Sequence, residues 1–333
     1  MNKTMLSLLL LAGIHASAQN TPLSNIQVIG SHNSYKKVMS PKIYEYLLQK
    51  DPRVKMIYYN HIPIAEQLDM GLRNLELDIW KDDKGGRFAH PKGEEITQEP
   101  YEWNEALQKP GFKVIHMPDY DYETQQPDFV KHLDALKNWS EKNPQHETIF
   151  ITLELKDDTQ EADSKFLFAD IQKINKLLLE HLGAQHLITP KELTRTGNKI
   201  IWPTIDESRG KFVWIIDNTD YRRDLFDQLS LEDINVFINV DPDHPKAGCM
   251  IINNPADERI PAYTQNGIII RTRADSDTKE ARNNDYSTFE QAKKSGAQII
   301  TTDYYLPSTL FPSTYRVSFD NGGYVRVKDV DKQ

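Results

Sequence analysis

The stretch "NLELDIW", residues 74–80, alternates apolar with acidic side chains. Its leucines and isoleucine form one series, and Glu76 with Asp78 forms the other. Because successive side chains of a β-strand point to opposite faces, the pattern predicts a strand with one hydrophobic face and two carboxylates on the other. An isolated pair of this kind is also typical of the solvated face of an edge strand, so its meaning depends on the rest of the chain.

Short apolar runs of high β-propensity recur on both sides of this stretch and alternate with helical patterns. The predicted strands are "IQVI" (26–29), "NLELDIW" (74–80), "KVIHM" (113–117), "TIFITLELK" (148–156), "FVWIID" (212–217), "CMIINN" (249–254), "GIIIRTR" (267–273) and "AQIITTD" (297–303). A further run, "NVFINV" (235–240), competes for the sixth place. The predicted helices cover residues 64–70, 129–141, 164–182, 221–231 and 288–294.

About eight strands that alternate with helices favour a single (β/α)8 TIM barrel, an α/β fold, over an open doubly wound sheet. The active site of such a barrel lies at the C-terminal ends of its strands. No glycine-rich phosphate-binding sequence follows a predicted strand, so we expect no nucleotide cofactor. The segment 81–112 is irregular and is predicted to replace or decorate the second helix.

The composition limits the classes of partner. The chain has 333 residues, of which 38% are hydrophobic, enough for a sizeable core. Its formal net charge is −9 and it has no long run of lysine or arginine, which argues against nucleic acid as a partner. Cys249 is the only cysteine, so no intramolecular disulfide can form.

The N-terminus has the pattern of a secretory signal. Lys3 precedes a short apolar stretch, and Ala16-Ser17-Ala18 matches the small-x-small cleavage pattern. We therefore predict a signal peptide over residues 1–18 and one catalytic domain over residues 19–333. Cleavage would export the protein to the periplasm or the medium.

Ionisable and amide side chains stand at the C-terminal ends of most predicted strands. They are His32 and Asn33 after the first strand, Glu76 and Asp78 on the second, His116 on the third, Glu154 and Lys156 on the fourth, Arg271 and Arg273 on the seventh, and Asp303 on the eighth. Each one alone has an ordinary structural interpretation as a turn, loop or surface residue. Together they predict a site, because unpaired charges facing a barrel core would be costly.

The residue types indicate the chemistry of that site. Asn33, Glu76, Asp78 and Glu154 offer only oxygen ligands, which suits Ca²⁺ first and Mg²⁺ second, and does not suit zinc. The two histidines are candidates for acid/base catalysis. Lys156 and the two arginines add positive charge for an anionic substrate, most simply a phosphate. This combination is typical of phosphodiester cleavage.

Several motifs resemble one known family. They are "GSHNSY" (30–35), "QLDMGLRNLELDIW" (67–80), "VIHMPDYD" (114–121), "ITLELK" (151–156), "IIIRTRADSDTKEARNND" (268–285) and "SGAQIITTDYY" (295–305). In this order they resemble the catalytic half of phosphoinositide-specific phospholipase C, and most of all its secreted, Ca²⁺-dependent bacterial branch. The resemblance extends from about residue 25 to residue 303.

The resemblance implies a TIM barrel that hydrolyses phosphatidylinositol to diacylglycerol and an inositol phosphate through a cyclic phosphate. By position, His32 and His116 match the catalytic pair. Asn33, Glu76, Asp78 and Glu154 match the calcium ligands, whereas the metal-independent branch has an aspartate after the first histidine and an arginine on strand two. Basic residues for ring phosphates are not evident, so unphosphorylated phosphatidylinositol at a membrane surface is the expected partner.

The resemblance and the residue types together suggest roles for the side chains. Glu76 or Glu154 accepts the proton of the inositol 2-hydroxyl, His32 neutralises charge on the phosphoryl group, and His116 protonates the departing diacylglycerol oxygen. Apart from the resemblance, Asp303 is expected to orient His32. The remaining cations, Lys156, Arg271 and Arg273, are expected to hold the phosphate or the inositol ring.

The sequence leaves two alternatives open. One is a phosphodiesterase on the same barrel that acts on glycerophosphodiesters or sphingomyelin-type lipids, although "SHNSY" does not fit the His-Arg-Gly-type motif of those families. The other is a non-catalytic inositol-lipid-binding protein. A monomer is expected in every case.

Overall fold

The computed structural model describes residues 20–158 and 162–328. The predicted signal peptide, residues 1–18, lies outside these ranges. The strands are β1 (Ile26–Ser31), β2 (Asn74–Asp82), β3 (Gly111–Val114), β4 (Ile149–Lys156), β5 (Thr194–Thr196), β6 (Lys199–Ile201), β7 (Phe212–Ile216), β8 (Cys249–Ile251), β9 (Ile269–Arg273), β10 (Ile299–Thr302) and β11 (Val325–Val327). The α-helices are α1 (Pro41–Lys50), α2 (Ile64–Asp69), α3 (Gly93–Thr97), α4 (Asn104–Leu107), α5 (Phe129–Lys142), α6 (Phe168–Leu182), α7 (Tyr221–Asp227), α8 (Arg259–Gln265), α9 (Lys279–Asn283) and α10 (Ser287–Lys294).

Parallel strands form a nearly closed barrel, in the order β7-β4-β2-β1-β10-β9-β8. The gap between β7 and β8 is filled by buried residues 235–239. Phe237 forms a parallel bridge with Ile215 of β7, and Asn239 accepts a hydrogen bond from the Ile251 N–H of β8 at 3.4 Å. The predicted TIM-barrel fold is confirmed, and the run at 235–240 takes a place in it.

The third predicted strand has a different position from the one expected. Residues 111–114 form β3, which runs antiparallel to the end of β2 and pairs with residues 79–82. The reason lies in β2, which meets β1 only at Asn74 and therefore has an open edge beyond that residue. β3 covers this edge and satisfies its backbone groups. His116 follows β3 in a loop rather than ending a barrel strand.

The alternation of apolar and acidic residues along β2 determines which face of the strand points outward. Leu75, Leu77 and Ile79 belong to a buried apolar cluster that includes residues of α5 and α6. Glu76 and Asp78, on the opposite face, are 1% and 0% exposed. The barrel interior therefore holds two buried carboxylates close to its C-terminal end.

The described residues include no helix that is both long and apolar enough to cross a membrane.

Candidate active site

A glycine allows the first two strands to approach closely just below the site. A Cβ atom at Gly30 would lie 2.3 Å from the carbonyl oxygen of Asn74, its pairing partner in β2. Beyond this contact, the Ser34 N–H donates to the Glu76 carbonyl at 3.0 Å, and the Glu76 N–H donates to Ser34 Oγ at 2.8 Å. The loop after β1, which carries His32 and Asn33, is thereby held against the acidic face of β2.

The acidic group contains Glu76, Asp78 and Glu154, whose nearest oxygens all lie within 4.8 Å of one another. Asp78 and Glu154 are direct neighbours in the parallel pairing of β2 with β4. Asn33 Oδ1 and both carboxylate oxygens of Asp78 are buried and have no hydrogen-bond partner. Unpartnered buried oxygens are rare, and an all-oxygen set of this kind fits Ca²⁺.

Positive charge lies beside these carboxylates. Lys156 Nζ is 3.0 Å from Glu154 Oε1 and 3.4 Å from Asp78 Oδ2. Burial raises the pKa of Asp78 to about 7, and the Lys156 ammonium opposes that rise. The ammonium group of Lys156 pairs with both carboxylates. Because its side chain is also 24% exposed, it can still contact a bound phosphate, as the sequence predicts.

His32 contacts acidic side chains through both ring nitrogens. Nδ1 lies 2.9 Å from Asp303 Oδ1 and 3.2 Å from the Tyr59 hydroxyl, and Nε2 lies 3.7 Å from Glu76 Oε1. Burial, reinforced by the charge of Arg273, lowers the pKa of His32 well below its ordinary value. Burial also raises the pKa of Asp303 to about 6, against the effect of His61.

His116 lies against a second acid. Its Nδ1 is 2.6 Å from Asp121 Oδ2, and Asp121 has no exposed surface. Met117 and Asp121 form a tight antiparallel bridge that brings the carboxylate back onto the histidine. Asp121 was not singled out from the sequence, although it closes the motif "VIHMPDYD".

The two arginines differ in accessibility. Arg271 is fully buried, and its guanidinium donates to Glu76 Oε2 and Asn253 Oδ1. The sequence predicts that Arg271 holds the phosphate or the inositol ring. In the structure its side chain has no exposed surface that a substrate could contact. Arg273 is partly buried, and its Nε has no hydrogen-bond partner. Burial opposes a charged Arg273, but the carboxylates of Glu76 and Asp303 raise its pKa.

Two further side chains at the mouth were missed in the sequence. Asp217 directly follows β7, and burial raises its pKa to about 6 against the charge of Arg271. It ends the quoted run "FVWIID", so the strand-end rule used for the other carboxylates identifies it as well. Tyr59 accepts a hydrogen bond from Asn33 Nδ2 at 2.8 Å, and no local pattern marks it.

Comparison with solved structures places this fold beside two bacterial enzymes. A calcium-dependent phosphoinositol-specific phospholipase C from Pseudomonas sp. matches with a TM-score of 0.55 and 17% identity, covering 94% of this chain and 97% of that one. A Ca²⁺-dependent phosphatidylinositol-specific phospholipase C from Streptomyces antibioticus matches with a TM-score of 0.53 and 16% identity, covering 90% and 100%. At these identities the likeness shows a shared fold.

No curated protein is similar enough in sequence to count as a match. The sequence does match the family model described as phosphoinositide phospholipase C, Ca²⁺-dependent, over residues 21–329. That match includes every strand and helix described above, together with all the candidate site residues. The chain therefore belongs to the Ca²⁺-dependent phosphoinositide phospholipase C family.

Proposed function

We propose that this enzyme cleaves phosphatidylinositol at the C-terminal end of the barrel, with His32 and His116 as its catalytic pair. The observation that carries this proposal is that each imidazole has its Nδ1 against a buried carboxylate, Asp303 in one case and Asp121 in the other. An ionised carboxylate can accept hydrogen bonds but cannot donate them, so each pairing places a hydrogen on Nδ1 of the imidazole. Nε2 is then the nitrogen that serves the substrate.

Asn33, Asp78, Glu154 and Glu76 would hold Ca²⁺, in keeping with the calcium dependence of the family. The bound ion supplies positive charge that stabilises phosphoryl oxygens and acidifies a neighbouring hydroxyl group. The unpartnered oxygens of Asn33 and Asp78 support this assignment.

The bond changes follow from the acid and base groups. The inositol 2-hydroxyl loses its proton to Glu76 or Glu154, and its oxygen attacks phosphorus. The bond from phosphorus to the diacylglycerol oxygen breaks, and that oxygen takes the Nε2 proton of His116, which enters the step as an imidazolium ion with its Nδ1–H on Asp121. When the anionic phosphate is bound and His32 is protonated on both nitrogens, its Nε2–H donates to a phosphoryl oxygen and stabilises the charge that develops there. In the second step His116 Nε2 removes a proton from water, and the water oxygen bonds to phosphorus. The bond from phosphorus to the inositol 2-oxygen breaks, and that oxygen recovers the proton held by Glu76 or Glu154.

The remaining cations have distinct proposed tasks. Lys156 and Arg273, which are only partly buried, contact the phosphate or the inositol ring. Arg271 instead holds Glu76 in place, because its guanidinium donates hydrogen bonds to that carboxylate and to the side chain of Asn253. Asp303 orients His32. We further propose that the substrate is unphosphorylated phosphatidylinositol at a membrane surface and that the enzyme is a monomer.

We also propose that residues 1–18 are removed on export and that residues 19–333 form one catalytic domain. The charged start, the apolar stretch and the small residues before Gln19 support this division. N-terminal sequencing of protein recovered from the periplasm or the medium tests it, and an intact Met1 in the exported protein would contradict it.

Product analysis tests the reaction itself. Inositol-labelled phosphatidylinositol is incubated with wild type, H32A and H116A, in calcium and in chelator. We expect labelled cyclic and open inositol phosphates only from wild type in calcium. Full activity in chelator would contradict the role of the metal, and wild-type rates in both variants would contradict the catalytic pair. Glycerol phosphate or choline phosphate released from a head-group panel, without inositol phosphate, would favour the other phosphodiesterase classes.

A further inference from the structure

Lys36 lies just beyond the loop that carries His32 and Asn33, and its side chain has no exposed surface. Its ammonium donates to Asp121 Oδ1 at 2.7 Å and to the Tyr59 carbonyl oxygen at 3.3 Å. A fully buried lysine is rare and costly to desolvate, and it is tolerated where it is paired. The ion pair of Lys36 with Asp121 therefore indicates a specific task.

The carboxylate of Asp121 divides its two oxygens between two partners. Oδ1 accepts from Lys36, and Oδ2 accepts from His116 Nδ1 at 2.6 Å. Burial alone would raise the pKa of Asp121, but the charge of Lys36 and the hydrogen bond from His116 hold it below its ordinary value. Because Lys36 holds Oδ1, the position of Oδ2 is fixed as well. Oδ2 then orients the imidazole of His116 through the hydrogen bond to Nδ1.

Lys36 also contacts Tyr59, whose hydroxyl group lies beside the other proposed catalytic histidine, His32. Its Nζ lies 4.8 Å from the centre of the Tyr59 ring, and the Tyr59 hydroxyl lies 3.2 Å from His32 Nδ1. The backbone carbonyl of Lys36 accepts from the His61 N–H at 3.0 Å. One buried side chain thus joins the loop of the first histidine to the carboxylate of the second.

We propose that Lys36 is a positioning residue which, through Asp121, fixes the imidazole of His116 for proton transfer to the departing oxygen. This inference rests on the general-acid role proposed above for His116. Lys36 does not contact the substrate. Without its ammonium, Asp121 is free to turn away from His116, and the Nε2 proton is no longer aimed at the oxygen that leaves phosphorus.

Two substrates with different leaving groups separate positioning from general damage. A short-chain soluble phosphatidylinositol releases an alkoxide oxygen that must be protonated as it leaves. The p-nitrophenyl ester of inositol phosphate releases a phenolate that is stable at neutral pH and needs no general acid. Loss of an acid/base group costs roughly 10²–10⁴-fold when the proton is required. A misplaced general acid therefore slows the first substrate far more than the second.

Four variants are compared: K36M, D121N, H116A and K37M. Lys37 is the matched control, because it is the next residue, its side chain is 44% exposed, and it pairs with Glu102. We expect H116A to lose activity selectively on phosphatidylinositol. K36M and D121N should show the same selectivity to a smaller degree, roughly 10–100-fold in kcat with KM little changed, as for residues that orient a catalytic group. K37M should match wild type on both substrates.

The outcomes distinguish this inference from the proposed function. Equal losses on both substrates in H116A would overturn the general-acid role. Selective loss in H116A together with equal loss, or no loss, in K36M would overturn the inference for Lys36 alone. The double variant K36M/D121N removes both charges together, so it leaves no unpaired buried charge if K36M folds poorly. It should show no more selectivity than D121N, and a further selective loss would contradict action through Asp121.

Discussion

Asp78 on β2 and Glu154 on β4 are direct neighbours across a parallel strand pair, and Lys156 Nζ lies within 3.4 Å of both carboxylates. Their positions are set by backbone pairing, so the separation of the two side chains is built into the sheet. An oxygen-rich site on rigid strands needs little rearrangement to hold a cation.

The first prediction concerns the metal. D78N and E154Q each remove one negative charge while keeping the shape of the side chain, so Ca²⁺ affinity should fall by roughly 10–100-fold or more. Calorimetric titration with Ca²⁺ measures this directly and does not depend on activity. E180Q, which changes an exposed carboxylate paired with Lys176 on α6, should bind as wild type does. Wild-type affinity in D78N and in E154Q would remove these residues from the ligand set.

The second prediction concerns the partner of the first histidine. D303N keeps the size of the side chain but removes the charge that lies 2.9 Å from His32 Nδ1. We expect kcat on phosphatidylinositol to fall by roughly 10²–10⁴-fold, as when the acid that orients a catalytic histidine is neutralised. D320N, an exposed aspartate that pairs with Lys293, should retain full activity. A D303N enzyme with wild-type kcat would show that His32 needs no orienting acid.

Much of this arrangement can be predicted from local sequence. The alternation in "NLELDIW" and in "ITLELK" identifies strands with inward carboxylates, because the two-residue period of a strand is a local property. His32 and Asp303 follow from the same rule, since strand ends meet at the mouth of a parallel barrel.

Other parts depend on contacts between distant residues. The pairing of Arg271 with Glu76 joins residues 195 positions apart, and that of Lys36 with Asp121 joins residues 85 positions apart. Neither has a sequence pattern, because a surface pair and a buried pair use the same residue types. The antiparallel course of β3 likewise depends on the open edge of β2, which only the assembled barrel reveals.

The third prediction concerns pH and stability. Asp275 is buried behind Asp303, whose N–H it accepts at 2.9 Å, and it is also bonded to the Thr302 hydroxyl. Burial, with the nearby charge of Asp303, raises its pKa from 3.8 to about 8. The folded state therefore holds a proton that the unfolded state releases. The stabilisation from this group is complete below about pH 4 and is lost as the pH rises through about 8.

D275N imitates the protonated acid and does not titrate. The free energy of unfolding of wild type, minus that of D275N, should therefore decrease by about 2 kcal/mol or more between pH 5 and pH 9. Urea denaturation at pH 5, 7 and 9 measures the difference. A difference that stays constant with pH would show that Asp275 is ionised throughout, and D320N should give a constant difference as the control.

The last prediction concerns the glycine beneath the site. In G30A the new Cβ would meet the Asn74 carbonyl oxygen at 2.3 Å and Asn74 Cβ at 2.4 Å, and both atoms belong to β2, which is paired with β4 on its other edge. Overpacking of this kind costs about 1–3 kcal/mol or more, and here it also separates β1 from β2. Because Ser34 binds the backbone of Glu76 just beyond this point, Ca²⁺ affinity and kcat should fall together with stability.

G323A, where the nearest atom is the flexible side chain of Asn321, is the matched glycine control. Chemical denaturation and Ca²⁺ titration of both variants check this, and a G30A protein as stable and as calcium-responsive as G323A would show that the close approach of the two strands is not required.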